Sequence, residues 1–381
     1  LANSIPYDIV IAGAGIVGLA HAYEAARRGL SVAVVEKDSR CVGASIRNFG
    51  FITISGQAQG DTWRRARYSR DIWNSIAPDA GIEIVHRGSW IACQRPEAIE
   101  VARAFLQSEM GVGCKLYQKP DFPQLLAEHP DANSLLLEDI LGVLHSPLEL
   151  RVESRTAIEK LAHWLEERWN VRFYWDTEVL GTRNPGVQTS SGPIRADRVL
   201  LCCGGSLSGI AKTALADYDI QLCTLQMLRV RPAPGFRLPG SVMTDNSLAR
   251  YSGWAELPEA EKLKACIKSE MPEYLEAGIH LIAVQSADGS LVLGDSHVYS
   301  DSETVFSSAE VDHLILNLAR SVLDIGQAEI IERWAGTYPV WQGGDALIHR
   351  LSSRECLAIV TSGTGASTAF GLARDTFDIW R

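Results

Sequence analysis

The chain has 381 residues, 46% of them hydrophobic and 22% charged, and carries a formal net charge of −10. That length exceeds one ordinary core and predicts two domains with a large buried interior. The acidic balance, with no basic block and no basic–aromatic interleaving, excludes nucleic acid as a partner, though not a local positive pocket.

Ile9, Val10 and Ile11 form a short apolar run, predicting a strand buried on both faces of a parallel sheet. The whole stretch Ile9–Ala20 is too short to span a membrane. No signal-peptide pattern opens the chain, and the missing initial Met points to a trimmed or processed start. Gly13 permits a sharp turn, Gly15 lets backbone approach a pyrophosphate, and Gly18 lets helix and strand pack closely. A helix is predicted from Ile16 to Arg28, closed by Gly29. A second strand, Ser31–Val35, runs into Glu36, whose carboxylate suits ribose hydroxyls and would repel the extra phosphate of NADP. Strand, glycines, helix, strand and acid in that order predict an adenine dinucleotide. The glycine-rich polar stretch that follows, Lys37–Gln57, can wrap a flavin's phosphates. Helices are predicted over Asp61–Ile76 and Arg95–Gly111, with strands over Ile84–Ala92 between them.

Leu135–Leu144 alternates imperfectly, and a helix over Arg155–Arg168 places Ile158, Leu161, Ala162 and Leu165 on one face. A strand over Val171–Trp175 and a segment around Glu178–Leu180 follow. Arg198–Cys203 is an apolar strand that ends in Gly204, Gly205 and Ser206, a second place for backbone to meet a cofactor, in the same sheet as the first strands. From Gln221 to Gly294 the texture changes to strand-like pieces with turns, predicting an antiparallel sheet over the cofactor. Glu310–Leu323 reads as a helix, and Ile330–Tyr338 returns to the cofactor side. The chain closes with a strand (Leu357–Val360), a turn (Gly363, Gly365) and a helix (Ala366–Phe377), which puts a helix N-terminus near the cofactor. The predicted fold is α/β: a Rossmann-like FAD-binding domain with an inserted α+β substrate domain built on a mostly antiparallel sheet. The FAD-binding domain takes residues 1–78, 143–216 and 329–381, and the substrate domain 79–142 and 217–328. The eight cysteines lack a CxxC and read as reduced thiols of a cytoplasmic protein; the nine histidines lack HxH or HExxH spacing, so no metal is expected.

The segments IAGAGIVGLA, GASIRNFG, LCCGGSLS and TSGTGASTAFGLA together resemble the FAD-dependent amine oxidases of the D-amino-acid oxidase, glycine oxidase and sarcosine oxidase superfamily, across essentially the whole chain. GASIRNFGF, GVLHSPLELRVES, GDSHVY and RWAGTYP further resemble a bacterial subgroup associated with aminophosphonate catabolism. The resemblance implies FAD along Gly13, Gly15, Ile16, Val17 and Gly18, with Glu36 and Lys37 at the adenosine ribose. It implies Ala44, Ser45, Arg47 and Asn48 near the pyrophosphate and the flavin ring, and Val179 beside adenine. Cys203, Gly204 and Gly205 fall near the phosphates, and Gly363, Gly365, Ala366 and Ser367 at the ribityl and pyrimidine side. Gly336 stands where sarcosine oxidases carry the cysteine that tethers FAD, so the cofactor is expected to be non-covalent.

The chemistry implied is hydride transfer from an amine α-carbon to flavin, hydrolysis of the imine, and reduction of molecular oxygen to hydrogen peroxide. Candidate catalytic residues are Arg47, facing either a phosphate or the substrate's acid group, Asn48 beside it, His297 at the end of an apolar strand, Tyr338 bounding the pocket, and Trp341. Arg333 and Trp334 flank Tyr338 and could equally be surface or core. Arg229 and Arg231 lie on the inserted sheet without a clean carboxylate-clamping pattern, which leaves room for a phosphonate ringed by several donors. The expected substrate is a small zwitterionic amine with a phosphonate or carboxylate group, N-methylated 2-aminoethylphosphonate giving phosphonoacetaldehyde being the sharpest case. The alternatives are a glycine, sarcosine or D-amino-acid oxidase, or a flavin dehydrogenase with an acceptor other than oxygen. No nucleic acid and no membrane partner are expected.

Overall fold

The computed structural model describes residues 6–380. Residues 1–5 and 381, assigned above to the first and last FAD-binding segments, lie outside the described residues.

Two sheets organise the chain. The six-stranded sheet runs in the order Ala346–Arg350, Glu355–Val360, Ala196–Leu201, Tyr7–Ala12, Val32–Val35, Arg172–Tyr174. Its strands pair parallel, with Ile9 opposite Val32 and Ile11 opposite Leu200, except for the antiparallel edge strand Ala346–Arg350. Parallel strands covered on both sides need apolar residues at every position, and Ile9, Val10, Ile11 and Val32–Val35 are all buried. One face is covered by the helices Ile16–Arg27, Asp61–Ile76, Ser154–Trp169 and Gly365–Ile379. There Phe370 receives Tyr23 and Trp73 edge-on, at 5.8 and 5.4 Å between ring centroids.

The larger, 10-stranded sheet contains Ile84–Cys93, Gly142–Val152, Ile220–Arg231, Ile282–Gln285, Leu291–Gly294 and Glu329–Trp341 among its strands. Its pairings are antiparallel, apart from the parallel pair Ser241–Thr244 with Ile84–Cys93. Leu228, Val230, Leu291 and Leu293 point to the face covered by the helix Ala309–Arg320, whose Ile315 and Ala319 are fully buried. This is the predicted α/β fold with its mostly antiparallel second layer.

Some boundaries move. The helix expected over Arg95–Gly111 stops at Leu106. Gly111 folds back so closely that a Cβ there would lie 2.3 Å from the Phe105 carbonyl, and Ser108 caps a separate short turn. Two strands at the starts of segments given to the FAD-binding part, Gly142–Val152 and Glu329–Trp341, are hydrogen-bonded into the larger sheet, as is Phe51–Ile52. Glu329–Trp341 follows Ile220–Arg231 from Ile220 opposite Trp341 to Arg231 opposite Glu329. The chain therefore crosses between layers inside those segments.

His21 joins the first helix to the last. It is fully buried, with Nδ1 2.7 Å from the Val17 carbonyl and Nε2 2.9 Å from Thr376 Oγ1. Burial pushes its pKa down to about 4. An unfolded imidazole titrates near 6.5, so the unfolded chain binds the extra proton first and stability falls as pH drops from about 6.5 to 4, by roughly 3 kcal/mol from this group. Denaturant unfolding at pH 7 and pH 4.5 is expected to show a smaller acid loss in His21→Gln than in the parent; equal losses would remove His21 as a cause.

Candidate functional site

The glycine turn works through close approach. Gly13 has φ +108°, and a Cβ there would lie 2.3 Å from the Cys202 carbonyl oxygen. A Cβ on Gly18 would lie 1.9 Å from the Gly13 carbonyl. The first helix begins at the N-cap Gly15, without a side-chain cap, which leaves first-turn N–H groups for an anion. One of them is occupied: Ile16 N–H donates to Ser45 Oγ at 2.9 Å. Glu36 accepts from Ala14 N–H at 2.8 Å and from Asp38 N–H at 3.2 Å, holding the turn from the end of its strand. A cavity of about 450 Å³ opens here, bordered by Gly13, Gly15, Glu36, Lys37, Val179 and Cys203.

The loop after Glu36 forms a short helical turn, Ala44–Ile46. Asn48 fixes it, donating through Nδ2 to the Ala44 carbonyl at 2.8 Å and accepting from Gly50 N–H at 2.7 Å. The Arg47 carbonyl accepts from Trp334 Nε1 at 3.1 Å, and a Cβ on Gly336 would lie 2.8 Å from that same oxygen. Arg47 is thus clamped by its backbone, while its guanidinium has no hydrogen-bond or ion-pair partner among the described residues. A second cavity, of about 620 Å³, shares Ala44, Ser45, Arg47, Gly204, Gly205 and Thr337 with the first, so the two form one extended slot. Ile16, Val17, Asn48, Gly336, Gly363, Gly365, Ala366 and Ser367 border this second part. Gly363 has φ +72°, and a Cβ there would lie 2.9 Å from the Tyr338 ring. A long slot with an acid at one end, helix N–H groups at its middle and glycine backbone along its walls fits an extended dinucleotide.

The far end of the slot is polar and walled by the larger sheet. Arg250, Tyr251, His280, Asp295, His297, Tyr299 and Tyr338 border it. Arg250 keeps exposed surface because it faces the open cavity, and donates to Tyr299 Oη at 3.0 Å. His280 Nε2 lies 3.5 Å from Asp295 Oδ1, and His297 Nε2 3.9 Å from Asp295 Oδ2. Burial raises the Asp295 carboxyl to about 7 against the pull of Arg250. Burial, with Arg250 adding to it, lowers His297 to about 3 and holds His280 well below its usual range. Burial also drives the Tyr338 phenol far up, so it stays protonated.

The candidates named from the sequence sort clearly. Every cofactor candidate borders the slot except Gly18, which packs behind the turn; Arg47, Asn48, His297 and Tyr338 border it too. Trp341 does not. It turns to the other side of its strand and meets Tyr218 edge-on at 5.4 Å. Arg229 is spent among Glu153, Glu332 and Asp288, and Arg231 pairs with Glu329 on the surface. Arg333 pairs with Asp312. Sequence reasoning misses Arg250, Tyr251, His280, Asp295 and Tyr299. Asp295 and Tyr299 sit inside GDSHVY, whereas Arg250 follows a short helical turn, Asp245–Ala249, that has no periodicity to mark it.

Among the described residues no helix is long and apolar enough to cross a membrane. The family model described as "DAO: FAD dependent oxidoreductase" matches residues 8–379. D-amino acid dehydrogenase 2 of Mesorhizobium japonicum is 24% identical over 296 residues, which are 75% of this chain and 62% of that protein. This chain therefore spans less than two thirds of that curated relative. Two solved structures have the same fold: glycine oxidase from Bacillus cereus (TM-score 0.76, 19% identity, 98% of this chain and 94% of that one) and L-proline dehydrogenase from P. horikoshii (TM-score 0.78, 18% identity, 98% and 93%).

Removing the Glu36 carboxylate orphans the Ala14 N–H at the turn. Glu36→Ala is expected to weaken FAD by about 10- to 100-fold, from roughly 1–3 kcal/mol for the lost acceptor. Flavin fluorescence titration of the cofactor-stripped protein measures this; an unchanged Kd would separate Glu36 from cofactor binding.

Proposed function

From the premise that this chain belongs to the DAO family of FAD-dependent oxidoreductases, we propose that it oxidises a small amine bearing an acid group. The sharpest form of the proposal is an aminophosphonate, N-methylated 2-aminoethylphosphonate, giving phosphonoacetaldehyde and methylamine. The observation that carries it is a pair of arginines, Arg47 and Arg250, on one cavity of about 620 Å³, neither in an ion pair among the described residues. One guanidinium fork suffices for a planar carboxylate. Two guanidinium groups with neighbouring phenols suit a tetrahedral dianion, whose oxygens need several donors.

FAD bound here would supply the two-electron oxidation of the carbon that carries the nitrogen, with molecular oxygen as the electron acceptor and hydrogen peroxide as its product. The residues that would hold it are Gly13, Gly15, Glu36, Ser45, Gly204 and the turn Gly363–Ser367, which border the slot. Tyr338, protonated at any ordinary pH, offers a donor to the acid group or to the amine. Arg47 and Arg250 anchor the acid, which orients the α-carbon. Water hydrolyses the imine product. The crowding of Gly336 against the Arg47 carbonyl leaves no room for a side chain at the tethering position, which supports non-covalent cofactor. The eight unpaired cysteines suit a reducing, cytoplasmic setting.

A second reading, a dehydrogenase with another electron acceptor, is favoured by one feature. Val305 and Phe306 are 81% and 91% exposed, close in sequence to Glu303, which borders the slot. Such a patch suits docking of an apolar acceptor or a partner protein.

Purified yellow protein is expected to release peroxide with N-methylated 2-aminoethylphosphonate and little with sarcosine or glycine. The reverse preference overturns the phosphonate, and flavin bleaching without peroxide establishes the dehydrogenase. Arg250→Met is expected to raise KM for the phosphonate about 10- to 100-fold with a smaller change in kcat, as the loss of charge-assisted bonds requires. Acid precipitation is expected to leave all the yellow colour in the supernatant; colour in the pellet would show a covalent bond.

A further inference from the structure

His280, Asp295 and His297 meet where the hairpin of Ile282–Gln285 and Leu291–Gly294 ends, with Ile282 opposite Gly294. The hairpin brings together residues that show no metal spacing along the chain. All three are buried, at 3%, 4% and 9% exposure, and their ligand atoms lie within 4.8 Å of one another.

The hydrogen bonds around them assign the imidazole protons. His297 Nδ1 lies 2.9 Å from the Gly278 carbonyl, which can only accept, so the proton is on Nδ1 and Nε2 carries a lone pair. His280 Nδ1 lies 3.2 Å from Ser247 Oγ, whose own hydroxyl points to the carbonyls of His280 and Leu281 at 3.1 and 3.4 Å. His280 therefore also donates from Nδ1 and keeps its Nε2 lone pair. Both lone pairs face the Asp295 carboxylate, at 3.5 and 3.9 Å, distances at which no hydrogen bond closes the gap. Asp295 Oδ1 is buried without a hydrogen-bond partner. Three acceptors converging in a buried site repel one another unless a proton or a metal cation sits between them.

We propose that His280, Asp295 and His297 bind a divalent metal ion of the zinc type. Two imidazole nitrogens and one carboxylate oxygen are a set that zinc accepts with a coordination position left open. The second shell is present as well: each ligating ring donates its Nδ1–H to a fixed oxygen, the usual orienting device for a metal-bound histidine. Tetrahedral zinc places its ligand atoms about 3.3 Å apart, so the cluster closes by small side-chain shifts. Arg250, Tyr251, Tyr299 and Tyr338 also border this end of the cavity. The Arg250 charge opposes a cation, and an anionic ligand lying between Arg250 and the metal's open position relieves that opposition. The site stands on the cluster alone and holds whichever amine is the substrate.

The test uses untagged, FAD-loaded protein, treated with chelator, desalted and titrated with Zn²⁺ against a chromophoric chelator. The expected result is one tight zinc per chain, lost on substitution of a ligand, with affinity down at least about tenfold in both Asp295→Asn and His297→Gln and at least about tenfold in the orienting variant Ser247→Ala. The visible flavin spectrum of each variant reports that the fold is intact. No zinc bound to the parent, or zinc held equally well by folded Asp295→Asn and His297→Gln, overturns the site and leaves the cluster as a proton-holding group.

Discussion

The hydrogen bond from Ile16 N–H to Ser45 Oγ ties the glycine turn to the loop on which the rest of the site depends. Ser45 belongs to the short turn that carries Arg47, and the Arg47 backbone is held from the far side by Trp334 Nε1. Trp334 lies on the strand Glu329–Trp341 of the larger sheet, and Ile16 opens the helix that covers the six-stranded sheet. One loop of a few residues therefore sets the distance between the two layers, and with it the width of the slot. Glycine appears where that spacing is tightest: Gly15 against Ser45, Gly336 against the Arg47 carbonyl. A side chain at either position would push the layers apart.

The slot divides its electrostatics between its ends. At the nucleotide end one carboxylate, Glu36, accepts from two backbone N–H groups, those of Ala14 and Asp38. At the far end burial dominates. It raises Asp295 and Tyr338 and lowers His280 and His297, so less charge of either sign stands beside Arg250 than the residue types alone imply. A cation with few competing anions in a walled cavity favours an acidic ligand, even on a chain whose overall charge is −10. This is why the acid group, more than the amine, carries the substrate proposal.

Much of this architecture is legible in the sequence, because the first strands, the glycine turn and Glu36 obey local rules. Parallel strands read as unbroken apolar runs, and Ile9–Ile11 and Val32–Val35 do so. The family follows from four ordered segments spread along the chain, and the match over residues 8–379 agrees with it. The far end is harder to read because its residues converge only through long-range pairing. Arg229 looks available on an alternating strand, but its neighbours across the ladder and beyond are acidic, and Glu332 opposite it and Glu153 absorb its charge. Trp341 shares a strand with Tyr338, but the alternation of side chains along that strand carries it to the other face. Arg250 lies just past a short helical turn, where neither a helical nor a strand period marks direction. His280 and Asp295 are adjacent only because of the hairpin register that pairs Ile282 with Gly294.

The central claim is that the cavity selects its substrate through the acid group. The most direct measurement is anaerobic titration of the flavin absorbance with two matched amines, N-methyl-2-aminoethylphosphonate and N-methylpropylamine, which lacks the acid. The account predicts bleaching by the first at concentrations at least about a hundredfold lower than by the second, the discrimination two charge-assisted anchors provide. Equal bleaching by both amines would contradict it, because Arg47 and Arg250 would then be bystanders to substrate selection.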